Sequence, residues 1–311
     1  MHRRQFVKAL GVGALAAKLP ASAFASAAPQ VAITMDDPNL SETPKLSAEE
    51  RNRKILEALR NHSDLRAALF VSGKNIDSNA GKRLLQSWND AGHTLGNHTY
   101  SHSYYHSKKI STASYIEDIE RCENIIKNYT QFKKLFRYPF LKEGDTLEKR
   151  EQLRAYLKKQ GYRMGYVTID ASDWYIDSRL IERLKKQPDA SITPYRDFYL
   201  QHIWERALYY DGLAKEVLKR QVKHTLLIHH SLLNALFLPD LLRMFDSKGW
   251  QLINADEAFQ DKVFSAAPNI LPAGESIIWA LAKETGKFDK RLRYPGEDAP
   301  YEKAAMDKLG L

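Results

Sequence analysis

Seven short apolar segments, separated by stretches that place apolar residues three and four apart, leave this chain few architectures to adopt. The strand candidates lie at 31–34, 67–71, 93–96, 135–138, 165–169, 225–228 and 250–253. The helical stretches between them lie at 48–59, 82–91, 115–129, 148–159 and 238–248. Strand and helix in alternation build a mostly parallel sheet or barrel covered by helices, so an α/β fold is expected. The 311 residues, 43% of them hydrophobic, suffice for a full core in one large domain or two small ones. No internal repeat, low-complexity linker or charge block interrupts the alternation, so 28–262 reads as one domain and 263–311 as a C-terminal extension of unknown role. The crossover at 178–221 is unusually long and carries Tyr195, Phe198, Tyr199, Trp204, Tyr209 and Tyr210. An extra packed layer of helix is expected there, ahead of a sugar-stacking surface.

The first 27 residues read as an address rather than as part of the fold. Arg3-Arg4 precede Phe6, Lys8 and a weakly apolar run that ends in small residues around Ala23, Ala25 and Ala27. The stretch around the two arginines is similar to a twin-arginine export signal. Lys18 and Pro20 break an apolar run already short of the roughly 20 residues that a membrane span requires. The expectation is an exported protein, periplasmic or extracellular, with no stable membrane span once the signal is removed. Arg3, Arg4, Lys8 and Lys18 contribute four charges to the formal +9, and no acid precedes Ala27, so the remainder keeps about +5. Lys133-Lys134 and Lys185-Lys186 have no aromatic interleaving; solvated helix faces are expected, and no nucleic-acid partner. With Cys122 as the sole cysteine, any metal must sit on histidines and carboxylates.

Five polar clusters fall at or just beyond the C-terminal ends of the strand candidates, where α/β folds gather functional groups. Asp36-Asp37 leave an apolar strand as adjacent carboxylates, which repel each other unless a cation or an arginine offsets them. His98 and His102, four apart, can share one face of a helical turn and chelate a divalent metal, although such pairs also occur by chance. Arg137-Tyr138-Pro139-Phe140 brings a cation out of a strand where proline bends the chain. Asp170 to Trp174 and Leu227-Ile228-His229-His230 complete the set. Each has an ordinary structural reading, as an ion pair, a turn with a core tryptophan or a capping histidine. Their occurrence at five strand ends of one chain points to a site.

In order and spacing the clusters resemble the five motifs of the polysaccharide deacetylase family, carbohydrate esterase family four, between about Val31 and Ser231. The pattern T-F-D-D stands as Thr34-Met35-Asp36-Asp37, and H-[ST]-x-x-H as His98 to His102. R-x-P-[YF] stands as Arg137 to Phe140, D-x-x-D-W as Asp170 to Trp174, and L-x-H as Leu227 to His229. The resemblance implies a distorted (β/α) barrel of about seven strands. It also implies a hydrolase of carbon–nitrogen bonds other than peptide bonds, acting on the N-acetyl groups of a chitin-like polymer, peptidoglycan or poly-N-acetylglucosamine. By the same resemblance Asp37, His98 and His102 bind a divalent metal, zinc in such enzymes. Asp36 would be the general base paired with Arg137, and His229 the general acid supported by Asp173. The backbone N–H of Phe140, with Trp174 and Leu227, would receive the acetyl group. The chain departs from the family at Met35 for Phe, Pro38-Asn39 for the glycine after the acids, Phe140-Leu141 for Tyr-Gly, and His230 for a frequent Asp. Two other functions stay open: hydrolysis of another amide or an O-acetyl ester, and noncatalytic carbohydrate binding on the same barrel.

Overall fold

Every residue after the first of β1 (Gln30–Asp36) is buried, as happens when a parallel strand has structure on both faces and reads as a continuous apolar run. The computed structural model describes residues 28–292 and 299–311, so the export-signal reading of the first 27 residues lies outside the described residues. β2 (Ala68–Val71), β3 (Thr94–Asn97), β4 (Phe132–Phe136), β5 (Arg163–Met164), β6 (Lys223–His229) and β7 (Gln251–Leu252) join β1 in one parallel sheet. The order is β5-β4-β3-β2-β1-β6, with β7 also on β1. Around it run α1 (Ala48–Asn61), α2 (Asn79–Asp90), α3 (Thr112–Ile126), α4 (Leu147–Lys159) and α5 (Asp173–Lys186). They are followed by α6 (Thr193–Leu218), α7 (Leu232–Ser247), α8 (Ala255–Ala258), α9 (Ile277–Glu284) and α10 (Ala299–Leu309). Ser47, Ser78, Ser111, Thr146 and Ser231 each accept the backbone N–H three residues on, which fixes where α1, α2, α3, α4 and α7 begin. The sheet curls until the segment after β5 meets β6: Ile169 N–H donates to Thr225 O at 3.0 Å, and Leu227 N–H to Ile169 O at 3.0 Å. That contact makes the curled sheet the distorted barrel that the motifs led one to expect.

Four expectations need correction. The fifth strand pairs at Arg163–Met164 rather than over 165–169, of which only Ile169 bridges, to Leu226. Gly165 N–H still donates to Phe136 O at 2.7 Å, where β4 ends, and the Phe70 ring lies 2.4 Å from where a Cβ on Gly165 would stand and 2.8 Å from one on Gly96. The ring fills the space that strand side chains would take. α7 starts at Leu232, six residues early, and holds Pro239 inside it. Burial of Leu232, Leu233, Phe237 and Leu238 outweighs the roughly 3 kcal/mol that an internal proline costs. Lys133-Lys134 lie on β4, not on a helix, and Lys134 pairs with Glu123 at 2.8 Å. His98 and His102, finally, do not share a helical turn, as described below.

The long crossover is α5 plus α6. Tyr195, Tyr199 and Tyr210 are buried, while Phe198, Trp204 and Tyr209 pack against the same core, so the aromatics form the extra helix layer. Val263, Phe264, Ile277, Ile278, Met306 and Leu311 join that core as well. Ser276 Oγ donates to Thr168 O at 2.9 Å and Ile277 N–H to Val167 O at 2.8 Å, which ties the start of α9 to the strand-end face. No described helix is long and apolar enough to cross a membrane.

Candidate metal and acid–base site

Asp36 ends β1 and is 2% exposed, a burial that an unpartnered carboxylate could not sustain. Arg137, just past β4, meets it: Nη1 donates to Asp36 Oδ1 at 2.7 Å. The guanidinium is held in place by Nε, which donates to Gly165 O at 2.7 Å, and by the Phe70 ring 3.9 Å below it. Burial lowers the Arg137 pKa from its ordinary value while the charge of Asp36 opposes that fall. Gly165, bonded through its N–H to the end of β4, thus orients the arginine through its carbonyl.

Asp37, one residue on, adopts a left-handed backbone with φ of 58°. Its Oδ2 stands 3.2 Å from His102 Nε2, and its Oδ1 is buried with no hydrogen-bond partner. One ligand atom from each of Asp37, His98 and His102 lies within 4.8 Å of the other two. His98 and His102 are joined by an irregular turn in which Thr99 (φ 62°) and His102 (φ 55°) are left-handed. Thr99 N–H donates to Asn97 Oδ1 and His102 N–H to Thr99 Oγ1, at 2.9 and 3.1 Å. These bonds replace the helical ladder, and the spacing of four brings the rings to 5.0 Å by another route. His98 Nδ1 lies 2.8 Å from Arg137 O; a carbonyl only accepts, so Nδ1 carries the proton and Nε2 keeps its lone pair. Burial lowers the His98 pKa against the pull of Asp36 and Asp37. For Asp37, burial acts to raise the pKa, but the His102 hydrogen bond and the nearby His98, His102 and His229 charges prevail and hold it well below the carboxylate range. An ionised carboxylate with an orphaned oxygen, the Nε2 of His98 and the ring of His102 together suit a divalent cation with a coordination position left open.

His229 closes β6. Asp173, at the start of α5, receives His229 Nδ1–H at Oδ1 and His229 N–H at Oδ2, both at 2.8 Å. Asn234 Nδ2 donates to the same Oδ2 at 2.8 Å, and Tyr199 OH donates to Asn234 Oδ1 at 2.5 Å, so the carboxylate is fixed from behind by the extra helix layer. Burial alone would lower the His229 pKa; the charge and hydrogen bond of Asp173, then Asp37 and Asp36, outweigh it and raise the pKa to about 10. His230 differs. It is buried, bonded through Nε2 to Asn52 Oδ1 at 3.2 Å, and lowered to about 3 by burial and then by Arg51.

Asp36, His98, His102 and His229 open on one cleft of about 530 Å³. Phe140, Trp174 and Leu227 line it, so every residue singled out from the motifs except Asp37, Arg137 and Asp173 borders the cleft, and those three are bonded to residues that do. Tyr104, His106, Lys142, Asp170 and Pro272 line it too, without having been assigned a role from sequence. Asp170 has a pKa raised to about 6, chiefly by burial. Tyr104, Phe140 and Trp174 are 44%, 53% and 42% exposed, and the Tyr104 ring stands edge-on to Phe140 at 5.3 Å. Of the nine non-glycine residues with positive φ among those described, Asp37, Thr99, His102, Phe140 and Leu141 surround this cleft. Backbone strain is concentrated where chemistry would need it. The only signal for Tyr104 was an aromatic pair soon after His102; Pro272 comes from the tail, brought in by the Lys142 to Gly274 bridge and the Lys142–Glu275 ion pair.

Residues 25–165 match the family described as polysaccharide deacetylase. A peptidoglycan-N-acetylglucosamine deacetylase of Bacillus cereus is 32% identical over 149 residues, 47% of this chain and 46% of that protein, so the chain spans less than half the length of that relative. The fold is similar to that of a chitin deacetylase from the fungal pathogen Colletotrichum lindemuthianum, with a TM-score of 0.51, 19% identity, and 75% of this chain and 88% of that chain covered. It is equally similar to a mutant CE4 family pseudoenzyme with restored enzymatic activity, with a TM-score of 0.51, 20% identity, and 74% of this chain and 67% of that chain covered. The wild-type form of that neighbour is described as a pseudoenzyme from Bacillus anthracis. These likenesses bear on the fold; whether a chain with this fold is active depends on its own side chains. Sequence match, curled parallel sheet and the five strand-end clusters agree, and over residues 25–165 the chain is similar to the polysaccharide deacetylase family.

Proposed function

We propose that the chain is a divalent-metal-dependent hydrolase that removes N-acetyl groups from an extracytoplasmic polysaccharide. The observation that carries this reading is the convergence of the Asp37, His98 and His102 donor set with two separate acid–base pairs, Asp36–Arg137 and His229–Asp173, on one cleft. Asp37, His98 and His102 would hold the metal, with zinc favoured by one carboxylate and two imidazoles. The chemistry supplied by a divalent cation there is polarisation of the acetyl carbonyl and acidification of a water. Asp36, clamped by Arg137, takes the proton of the attacking water. His229, kept cationic by Asp173, gives a proton to the departing sugar nitrogen. The Phe140 N–H donates to the developing oxyanion, and Trp174 and Leu227 enclose the acetyl methyl.

The exposed rings of Tyr104, Phe140 and Trp174 around the cleft favour a carbohydrate, whose C–H faces pack on aromatic surfaces. The twin-arginine-like stretch around Arg3-Arg4 and the peptidoglycan named in the curated relative support an exported protein acting on an envelope polymer. Noncatalytic sugar binding is the weaker reading, since holding a sugar requires neither a buried carboxylate clamped by arginine nor an imidazolium backed by a buried aspartate. The test is acetate release from chitin oligomers, peptidoglycan, poly-N-acetylglucosamine and acetylated xylan, with and without added metal. Metal-dependent release from an N-acetylated polymer is expected; release from xylan alone would make the chain an O-acetyl esterase, and binding without release a lectin-like protein.

A further inference from the structure

Behind the metal-ligand set lies a buried cation that none of the proposed chemistry uses. Arg51, on the inner face of α1, is 1% exposed and makes no ion pair among the described residues. Its guanidinium is directed instead at the loop that follows β1. Nη1 donates to Ser41 O at 2.6 Å, and Nη2 donates to Asn39 O at 2.7 Å and to Asn39 Oδ1 at 2.9 Å. Asn39 passes the hold forward, because its Nδ2 donates to Asp37 O at 3.1 Å and to His230 O at 3.3 Å. His230 N–H in turn donates to Asp36 O at 2.9 Å. A continuous set of bonds therefore runs from Arg51 through Asn39 to the backbone of both aspartates and to the end of β6.

That backbone needs holding. Asp37 is left-handed at φ 58° although it is not glycine and precedes Pro38, two features that disfavour the conformation. Burying a guanidinium is costly even with the charges of Asp177 and Glu42 acting on it, and every hydrogen bond the Arg51 guanidinium makes goes to a neutral oxygen of the 39–41 loop, where an apolar side chain would fill the inner face of α1 more cheaply. We propose that Arg51, acting through Asn39, is a positioning residue for the metal ligand Asp37: it clamps the 37–41 loop so that the Asp37 carboxylate stays aimed at His98 and His102. The proposal rests on the reading of Asp37, His98 and His102 as a metal site.

The test is the equilibrium affinity of the purified chain for Zn²⁺, measured by competition with a chromogenic chelator, beside thermal unfolding of the metal-free protein. Asn39→Ala and Arg51→Met are expected to weaken zinc binding about 10- to 100-fold, as loss of groups that orient ligands does. Arg51→Lys, which keeps the charge but loses the forked geometry, is expected to fall between them and the wild type. A purely structural role would lower the unfolding temperature and leave the affinity of the folded variants unchanged; that result in Asn39→Ala overturns the proposal even if Arg51→Met does not fold. Wild-type protein that binds no zinc would instead overturn the metal site itself, and the clamp with it.

Discussion

His229 carries the sharpest pH consequence, because its pKa is raised to about 10 and the groups that raise it are known. In the proposed chemistry the imidazolium is the active form, so kcat/KM should fall on the alkaline side as His229 loses its proton. A cation on Asp37 cancels part of the carboxylate field, so the limb of the metal-loaded protein should lie below about 10 yet above the unperturbed histidine value of about 6.5. Asp173→Asn removes the largest pKa-raising contribution, and the limb should move to lower pH while the acid limb stays; an unmoved alkaline limb would show that another group is the acid. The same shift acts on stability. A raised pKa in the folded chain means the pairing stabilises fully below about 6.5 and is lost as pH rises through about 10, so the metal-free wild type should lose more stability than Asp173→Asn between those values. Asp36→Asn should keep zinc affinity but lose about 10²- to 10⁴-fold in kcat, the worth of a general base; metal loss with unchanged turnover would reverse the roles of the two aspartates. Tyr104→Ala should raise KM for N-acetylated oligomers about 3- to 10-fold with little change on a small acetyl ester, as measured by initial rates. Most of these side chains could be found from sequence because each ends a strand. Arg51 and Asn39 could not, since a buried arginine on an amphipathic helix looks like any solvated one until its partners are known.

Gly165 shows how an element can be misread for a good physical reason. The run 165–169 has the apolar composition of a strand, yet after Gly165 N–H donates to Phe136 O at 2.7 Å, where β4 ends, the chain crosses to β6 and bridges it only at Ile169, with the Phe70 ring filling the space beside Gly165. Gly165→Ala would drive a methyl into the Phe70 ring on which Arg137 rests, so both stability and activity should drop. A loss of about 1–3 kcal/mol is expected from overpacking, read by denaturant unfolding, together with a lowered kcat. An alanine variant with native stability and turnover would mean the ring has room to move. Composition and period found six of the seven strands within a few residues, and serine or threonine caps set the helix starts. The turn between His98 and His102 was hidden because its left-handed residues, Thr99 and His102, are not the glycines that usually mark such a conformation.

Across the whole molecule, the expected α/β barrel formed because the alternation of buried strands and capped helices admits little else. What sequence could not reveal was the use of the later chain. Segment 272–276 forms part of the cleft wall through Pro272 and the Lys142–Glu275 pair, and the aromatics of α6 stand behind Asp173 by way of Tyr199 and Asn234. Those contacts join residues on separate elements, 35 positions apart for Tyr199 and Asn234 and 61 for Asn234 and Asp173, and no local pattern announces them. The central claim is that one metal per chain, held by Asp37, His98 and His102, turns this cleft into an N-acetyl hydrolase. Its most direct test is a titration of metal-free protein with Zn²⁺ while acetate release from an N-acetylglucosamine oligomer is followed. Activity should rise from near zero to a plateau at about one equivalent, and His98→Ala, His102→Ala should stay at the baseline. Acetate release that ignores the metal, or a protein that takes up one equivalent and releases none, would contradict it.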